Sequence, residues 1–347
     1  GLATPGHLAA VAGSGLFPVL AQQSIREMTR TRRTPDEVMD DAVFGVLQAG
    51  WTRGFGADAD HLKTPGDVDR CAAAGFVLFT LDGTDVIGSR ERRGRTPATR
   101  WSRAVDLFTG LARRVRARAR VGFELEVSMD ELPFETTPTD HRYVVTELLK
   151  RGVRIHQLAP RFPGAFEKGV DYRGDVRTFE RAAAAHAAVA RSLGGHKLSI
   201  HSGSDKFRIY RAVARATAGA FHLKTAGTSW LEALRVAARC EPDLFREIAA
   251  LARTQFGRDR ASYHISARLS RVPDAARVAD VALERRFLIK DDARQVLHVT
   301  FGSVLTAMEG ADWRFRDRLR ELLVREEDAH VAVLARHLGR HVRPLAR

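Results

Sequence analysis

Two textures alternate along this chain, and that alternation limits its fold more than any other feature. Short apolar or alternating runs recur at 17–23 (FPVLAQQ), 54–61 (GFGADADH), 76–82 (FVLFTLD), 122–128 (GFELEVS), 154–160 (RIHQLAP), 196–202 (HKLSIHS), 220–226 (AFHLKTA) and 262–267 (SYHISA). Between them lie Ala-, Leu- and Arg-rich stretches with helical spacing, among them 36–49, 101–119, 139–151, 175–193 and 229–239. Strand–helix alternation sustained over this length predicts helices packed on a parallel sheet. The eight runs predict an α/β fold of the (β/α)8 TIM-like barrel type, with an open doubly wound sheet as the alternative. From about residue 281 only helical patterns remain, at 287–308 and 315–342. The expected organisation is therefore a barrel catalytic domain over 1–280 and a helical C-terminal extension over 281–347.

Successive side chains of a strand point to opposite faces. Within GFELEVS this puts Glu124, Glu126 and Ser128 on one side and Phe123, Leu125 and Val127 on the other. AFHLKT separates His222 and Lys224 from Phe221 and Leu223 in the same way, and GFGADADH separates Asp58 and Asp60 from Phe55, Ala57 and Ala59. The apolar set should meet the helices and the polar set should point inward. Barrel active sites lie at the C-terminal ends of the strands, where these groups collect.

Inward ionisable groups are costly unless paired or bound to metal. A divalent metal such as Zn, Mn, Co or Ni, held by imidazole and oxygen, is one reason to gather them. His61, His201 and His222 are the candidate ligands, with Gln157 and Glu126 in reserve. The competing reading of each histidine is a hydrogen-bonded core residue. SGSD (202–205) and TAGTS (225–229) follow strands and lead into helices, so Ser202 and Thr225 are candidates for contacting an anionic group, or the turns simply cap helices. Arg161 and Lys168, in the loop APRFPGAFEKG (159–169), and Lys224 are candidate carboxylate-binding cations.

Composition removes other classes. The chain has 347 residues and a net charge of +14, but only 7 of its 56 basic residues are Lys, and the charge is spread along the chain. Aromatics are 7% and do not interleave with the basic clusters, so no nucleic-acid partner is expected and an anionic small substrate is. Two cysteines exclude a disulfide framework and a cysteine-based zinc site. There is no run of 18 apolar residues, no Walker loop and no GxGxxG, so neither a membrane span nor nucleotide binding is expected. The N-terminal stretch has no basic n-region or long apolar h-region, and a cytoplasmic setting follows as the expectation. A homo-oligomer is compatible with a helical exterior.

RGFGADADHLKT, LSIHSGSDKF, FHLKTAGTSWLEALR, APRFPGAFEKGVDYRGD, RQVLHVTFGSVL and, near the start, LATPGH and FPVLAQQSIREM together resemble the tagaturonate epimerase family of hexuronate metabolism. The similarity runs over essentially the whole chain. Family members have a glycine-rich segment before the GLATPGH stretch where this sequence begins, and the stretch between 80 and 122 is short by comparison. The resemblance implies metal-dependent interconversion of D-tagaturonate and D-fructuronate, and it draws attention to Asp60, His61, Glu126 and His201. The two sugars differ at C4, whose proton the C2 ketone does not acidify. Retro-aldol cleavage and re-addition is the expected route, with Asp60 and Glu126 as the acid/base pair, His61, His201 and His222 around the metal, and Arg161, Lys168 or Lys224 on the substrate carboxylate. A metal-dependent sugar isomerase or aldolase on the same scaffold is the alternative.

Overall fold

The computed structural model describes residues 1–346 apart from 89, 90, 92, 94, 121, 202, 203 and 226. Seven parallel strands form one sheet in sequential order: β1 (Val19–Ser24), β2 (Gly56–Leu62), β3 (Leu78–Asp82), β4 (Glu124–Met129), β5 (Gln157–Pro160), β6 (Lys197–His201) and β7 (Phe221–Lys224). Helices between them return the chain, as parallel pairing requires. The sheet curls strongly. Lys224 on β7 lies 2.7 Å from Asp58 on β2, although five strand spacings in a flat sheet would separate them by about 24 Å.

The expected eighth strand, 262–267, does not form. Residues 260–262 make a 3-10 turn, and the segment after it is irregular. Side chains from elsewhere hold it as a loop. Arg30 donates to Ser262 and Tyr263, and Ser266 donates through both its N–H and its hydroxyl to Glu167. Among the described residues β1 and β7 are the two edges of the sheet and do not pair with each other. The architecture is an α/β fold with a curled seven-stranded parallel sheet, in place of the eight strands expected.

Local chemistry explains where the helices start. Thr-Pro opens four of them, at Thr34, Thr64, Thr96 and Thr137. In each, the threonine hydroxyl accepts from the N–H three residues on, and that residue's side chain returns a bond to the threonine N–H. Proline fits the first helical position because its missing N–H would have no intrahelical acceptor there. These helices run Pro35–Gln48, Pro65–Ala73, Pro97–Arg118 and Pro138–Lys150. A fifth, Val176–Ser192, is capped by Asp175.

The two faces of the sheet differ as the alternation predicts. Phe79, Leu81, Leu125 and Val127 join a buried apolar cluster with Val105, Phe108 and Val144 of the flanking helices. The inner face instead carries Asp58, Thr80, Glu126, Gln157 and Ser199, all buried. After β7 the chain is largely helical to Val342. An apolar cluster from Leu231 to Val333 holds this part together. Its last helix, Glu327–Val342, packs on the first one, Thr4–Val11. No described helix is long and apolar enough to cross a membrane.

Candidate active site

Lys224 is the centre of the inner face. Its ammonium lies 2.7 Å from Asp58, 2.8 Å from Asp60 and 2.9 Å from Glu126, and donates to the Thr80 hydroxyl at 2.6 Å. Gln22 of β1 donates to the second oxygen of Asp60 at 2.6 Å. A lone buried ammonium would shed its proton, but three carboxylates hold this one charged, well above the ordinary lysine range against the opposing effect of burial.

The carboxylates respond unequally. Burial is the largest influence on Asp58, and with the repulsion of Asp60 and Glu126 it outweighs Lys224 and pushes the carboxyl up to about 7. Burial also opposes ionisation of Asp60, but His61, Lys224 and His201 hold it below the ordinary range. Glu126 is held well below that range, against burial, by Lys224 and His201. Three adjacent carboxyls thus include two firmly ionised groups and one that carries a proton near neutrality.

Above this layer stand two histidines, His61 and His201, with ring centroids 5.4 Å apart and edge to face. His61 sits at the end of β2 with φ 53°, a left-handed backbone rare for a residue with a Cβ. The register between β2 and β3 shifts at the same place, between Ala59 and Leu62. Strict alternation would put Asp60 and His61 on opposite faces. The irregularity brings both to one cavity, with 3.6 Å between His61 Nε2 and Asp60.

His61 Nδ1 lies 3.1 Å from Asp82 and its Nε2 lies 3.8 Å from Glu131. These three residues offer ligand atoms within 4.8 Å of one another and could hold a divalent cation. His201 Nε2 is 2.5 Å from Glu126. Its Nδ1 lies 3.0 Å from Asp130 but off the line of a good hydrogen bond, which leaves a buried polar atom without a proper partner. Burial opposes the charged form of both rings. The carboxylates prevail, Asp60 and Asp82 pushing His61 up to about 9 and Asp130 and Glu126 pushing His201 up to about 10. A surplus of carboxylate around two imidazoles is a donor set suited to a metal.

A cavity of about 470 Å³ opens on this layer, lined by Asp60, His61, Asp130, Glu131, His201 and Lys224 among others. Tyr263 and His264, from the segment expected to be a strand, form part of its rim. A second cavity of about 840 Å³ lies between the sheet edges and shares Gln22, Arg26, Lys168, Lys224 and Tyr263 with the first.

The structure brings together Asp60, His61, Glu126, His201 and Lys224. Glu126 is fully buried beneath the cavity and lines neither space, so it reaches outward only through His201 and Lys224. His222 stands apart from the histidine pair. It lines the second cavity, and burial pushes it down to about 4. Lys224 is already engaged with three carboxylates. Arg161 lines the first cavity and donates to the Asp130 carbonyl at 3.2 Å, Lys168 lines both cavities, and Thr225 lines the second. Ser202 lies outside the described residues.

Sequence reasoning passed over Asp82, Asp130 and Glu131. All three sit at or just after a strand's C-terminal end, so the rule that found Glu126 would have found them. Gln157, a reserve ligand, instead donates to Glu124 at 2.7 Å.

Known proteins resemble this arrangement closely. The tagaturonate epimerase family profile matches residues 1–99 and 90–345. A tagaturonate/fructuronate epimerase from Thermotoga maritima is 42% identical over 99% of this chain and 78% of its own length. The crystal structure of a fructuronate-tagaturonate epimerase from Cohnella laeviribosi, complexed with glycerol, superposes with a TM-score of 0.94 at 35% identity, covering 99% of this chain and 79% of that one. With a curled sheet, a strand-end acid/base cluster and matches of this extent, the chain belongs to the tagaturonate epimerase family.

Proposed function

We propose that this protein interconverts D-tagaturonate and D-fructuronate by inverting C4, using retro-aldol chemistry supported by a divalent metal. One observation carries the reading: ionised Asp60 and the Glu126–His201 pair meet one cavity, wired together by Lys224. An isomerase or aldolase would use similar groups. No observation favours it over the family's reaction.

The C4 proton of a 2-ketose is not acidified by its carbonyl, so a base gains little by attacking it. Removing the O4 proton is productive. As O4–H gives up its proton, C4=O4 forms, the C3–C4 bond breaks, and its electron pair enters the C2–C3 enediolate. Rotation of the aldehyde about C4–C5 presents its other face. Re-addition rebuilds C3–C4, and O4 takes a proton back. Atoms and electrons balance with no redox partner.

Asp60 is the base in this scheme, because it is ionised and lines the cavity. His201 faces the same cavity with Glu126 behind it at 2.5 Å, and the pair returns the proton from the opposite side. Glu126 thus keeps its acid/base role, exercised through the imidazole. His61, with Asp82 and Glu131 around it, would hold the metal, and His201, expected as a ligand, is given to the proton instead. When bound, it would supply Lewis-acid polarisation of the C2 carbonyl and its enediolate. Its identity among Zn, Mn, Co and Ni stays open in this reading, and His222 is the outlying ligand. Arg161 and Lys168 take the substrate carboxylate, with Ser202 and Thr225 beside it. Lys224 sets the charge of Asp60 and Glu126.

The same proposal includes a catalytic unit over 1–280, a helical extension over 281–347, a cytoplasmic setting and self-association. The direct test is an NMR time course of D-tagaturonate with metal-stripped protein, before and after metals are restored. D-Fructuronate appearing only with metal supports the reading. Conversion that is independent of metal removes the metal from it.

A further inference from the structure

The second cavity holds a cluster that the chemistry at Asp60 does not use. Its floor includes the turn into the helix Thr228–Cys240, a helix of 13 residues. Gly227 occupies the N-cap position with φ 83° and can offer no side-chain cap. No side chain caps the first turn, and the Thr228 N–H bonds the Thr225 carbonyl at 3.4 Å. The Thr228 hydroxyl is buried and has no hydrogen-bond partner among the described residues.

His298 is aimed at this turn. Its imidazole lies against the Gly227 α-carbon, so that a Cβ there would come within 2.1 Å of Nε2. The residue is 5% exposed, and among the described residues neither ring nitrogen has a hydrogen-bond partner. A buried imidazole with two unsatisfied nitrogens calls for an explanation. Lys168 lines the same cavity, and among the described residues its ammonium makes no ion pair or hydrogen bond. Burial pushes His298 down to about 3, with Lys168, Arg294 and Lys206 adding to the effect, so a neutral ring stands in a cationic surrounding.

Unsatisfied donors, a free ammonium and a helix N-terminus share one chemical preference, which is an anion. Carboxylates line both cavities, Asp60, Asp130 and Glu131 the first and Glu27, Glu37, Asp40 and Asp41 the second, so the preference belongs to the corner formed by Lys168, His298 and Gly227. We propose that the substrate's carboxylate binds in the second cavity, held by Lys168, the His298 imidazole and Thr225. This rests on the uronate reading above and adds an orientation to it. The carboxylate sits at that corner, and the reacting carbons lie toward Asp60 and His201. Lys168 and Lys224 line both cavities, so the two spaces adjoin there. Arg161, in the first cavity, is then left to the sugar hydroxyls.

The test is calorimetric binding of D-tagaturonate and of D-tagatose, which carries a hydroxymethyl group in place of the carboxylate. The protein is used as purified, in wild-type form and as Lys168→Met, His298→Phe and Thr225→Val. Wild type should prefer the uronate by at least about tenfold, as charge-assisted bonds do. Lys168→Met and His298→Phe should reduce the preference to less than about threefold. Thr225→Val, a near-isosteric change, should reduce it in the same direction and covers the case in which His298→Phe does not fold. A preference unchanged in Lys168→Met or in Thr225→Val overturns the subsite, even if the wild type epimerises tagaturonate. Loss of the preference in a protein that epimerises nothing would uphold the subsite and reject the reaction.

Discussion

Replacing Lys224 by Met should damage the protein in a way the charge network specifies. The ammonium is buried against Asp58, Asp60 and Glu126 at 2.7–2.9 Å. Removing one partner of a buried ion pair destabilises by about 3–5 kcal/mol, because the remaining charge is left uncompensated. Unfolding entropy is about 2.1 cal/mol/K per residue, so for this chain the loss corresponds to a drop of about 4–7 °C in Tm. The carboxylates should then take up protons, and turnover should fall by at least about 100-fold through loss of an ionised Asp60. Asp58→Asn alone should change Tm by less than about 2 °C, since that carboxyl is already pushed up to about 7 and amide replaces acid. Added to Lys224→Met, Asp58→Asn should change Tm little further, because without the ammonium that carboxyl is already protonated. Scanning calorimetry of the four proteins reads the cycle. A Lys224→Met protein as stable as wild type would refute the charge assignment.

Three further outcomes are expected. Stability should fall as pH drops from about 6.5 toward 4, because burial lowers His186 and His196 to about 4 while the unfolded chain protonates near 6.5. Each histidine contributes a slope of about 1.4 kcal/mol per pH unit across that window; urea midpoints that stay flat from pH 7 to 5 would contradict it. Thr137→Ala removes a helix cap shared with Asp140 and should cost about 1 kcal/mol, read as a Tm shift of about 1–2 °C with activity kept. Glu131→Gln should weaken metal binding about 10-fold or more by equilibrium dialysis with little change in Tm, and equal affinity would remove Glu131 from the ligand set.

Much of this arrangement was legible in the residues themselves. Five helices lie within a few residues of where periodicity put them, because that signal acts locally. The inward face of β4 and β7 was legible because a period of two is fixed by strand geometry. The eighth strand failed for a non-local reason. SYHISA alternates well, but Arg30 and Glu167, far away in sequence, hold its side chains in a loop. The joint placement of Asp60 and His61 was hidden for another reason. It depends on a left-handed residue and a register shift that alternation rules cannot contain. Lys224 was expected on the substrate, because a lone sequence does not show that strands two and seven meet. His298 lies in the stretch 287–308, which was read only as helical. Only the fold sets it against Gly227.

The central claim is that C4 is inverted by breaking and remaking C3–C4, with the C4 hydrogen never leaving its carbon. D-Tagaturonate deuterated at C4, incubated with metal-loaded protein in ordinary water and no nicotinamide, tests this most directly. The account predicts D-fructuronate that keeps its deuterium at C4, seen by NMR and mass spectrometry. Product that has exchanged this deuterium for solvent hydrogen would contradict it and would point to a base acting on carbon.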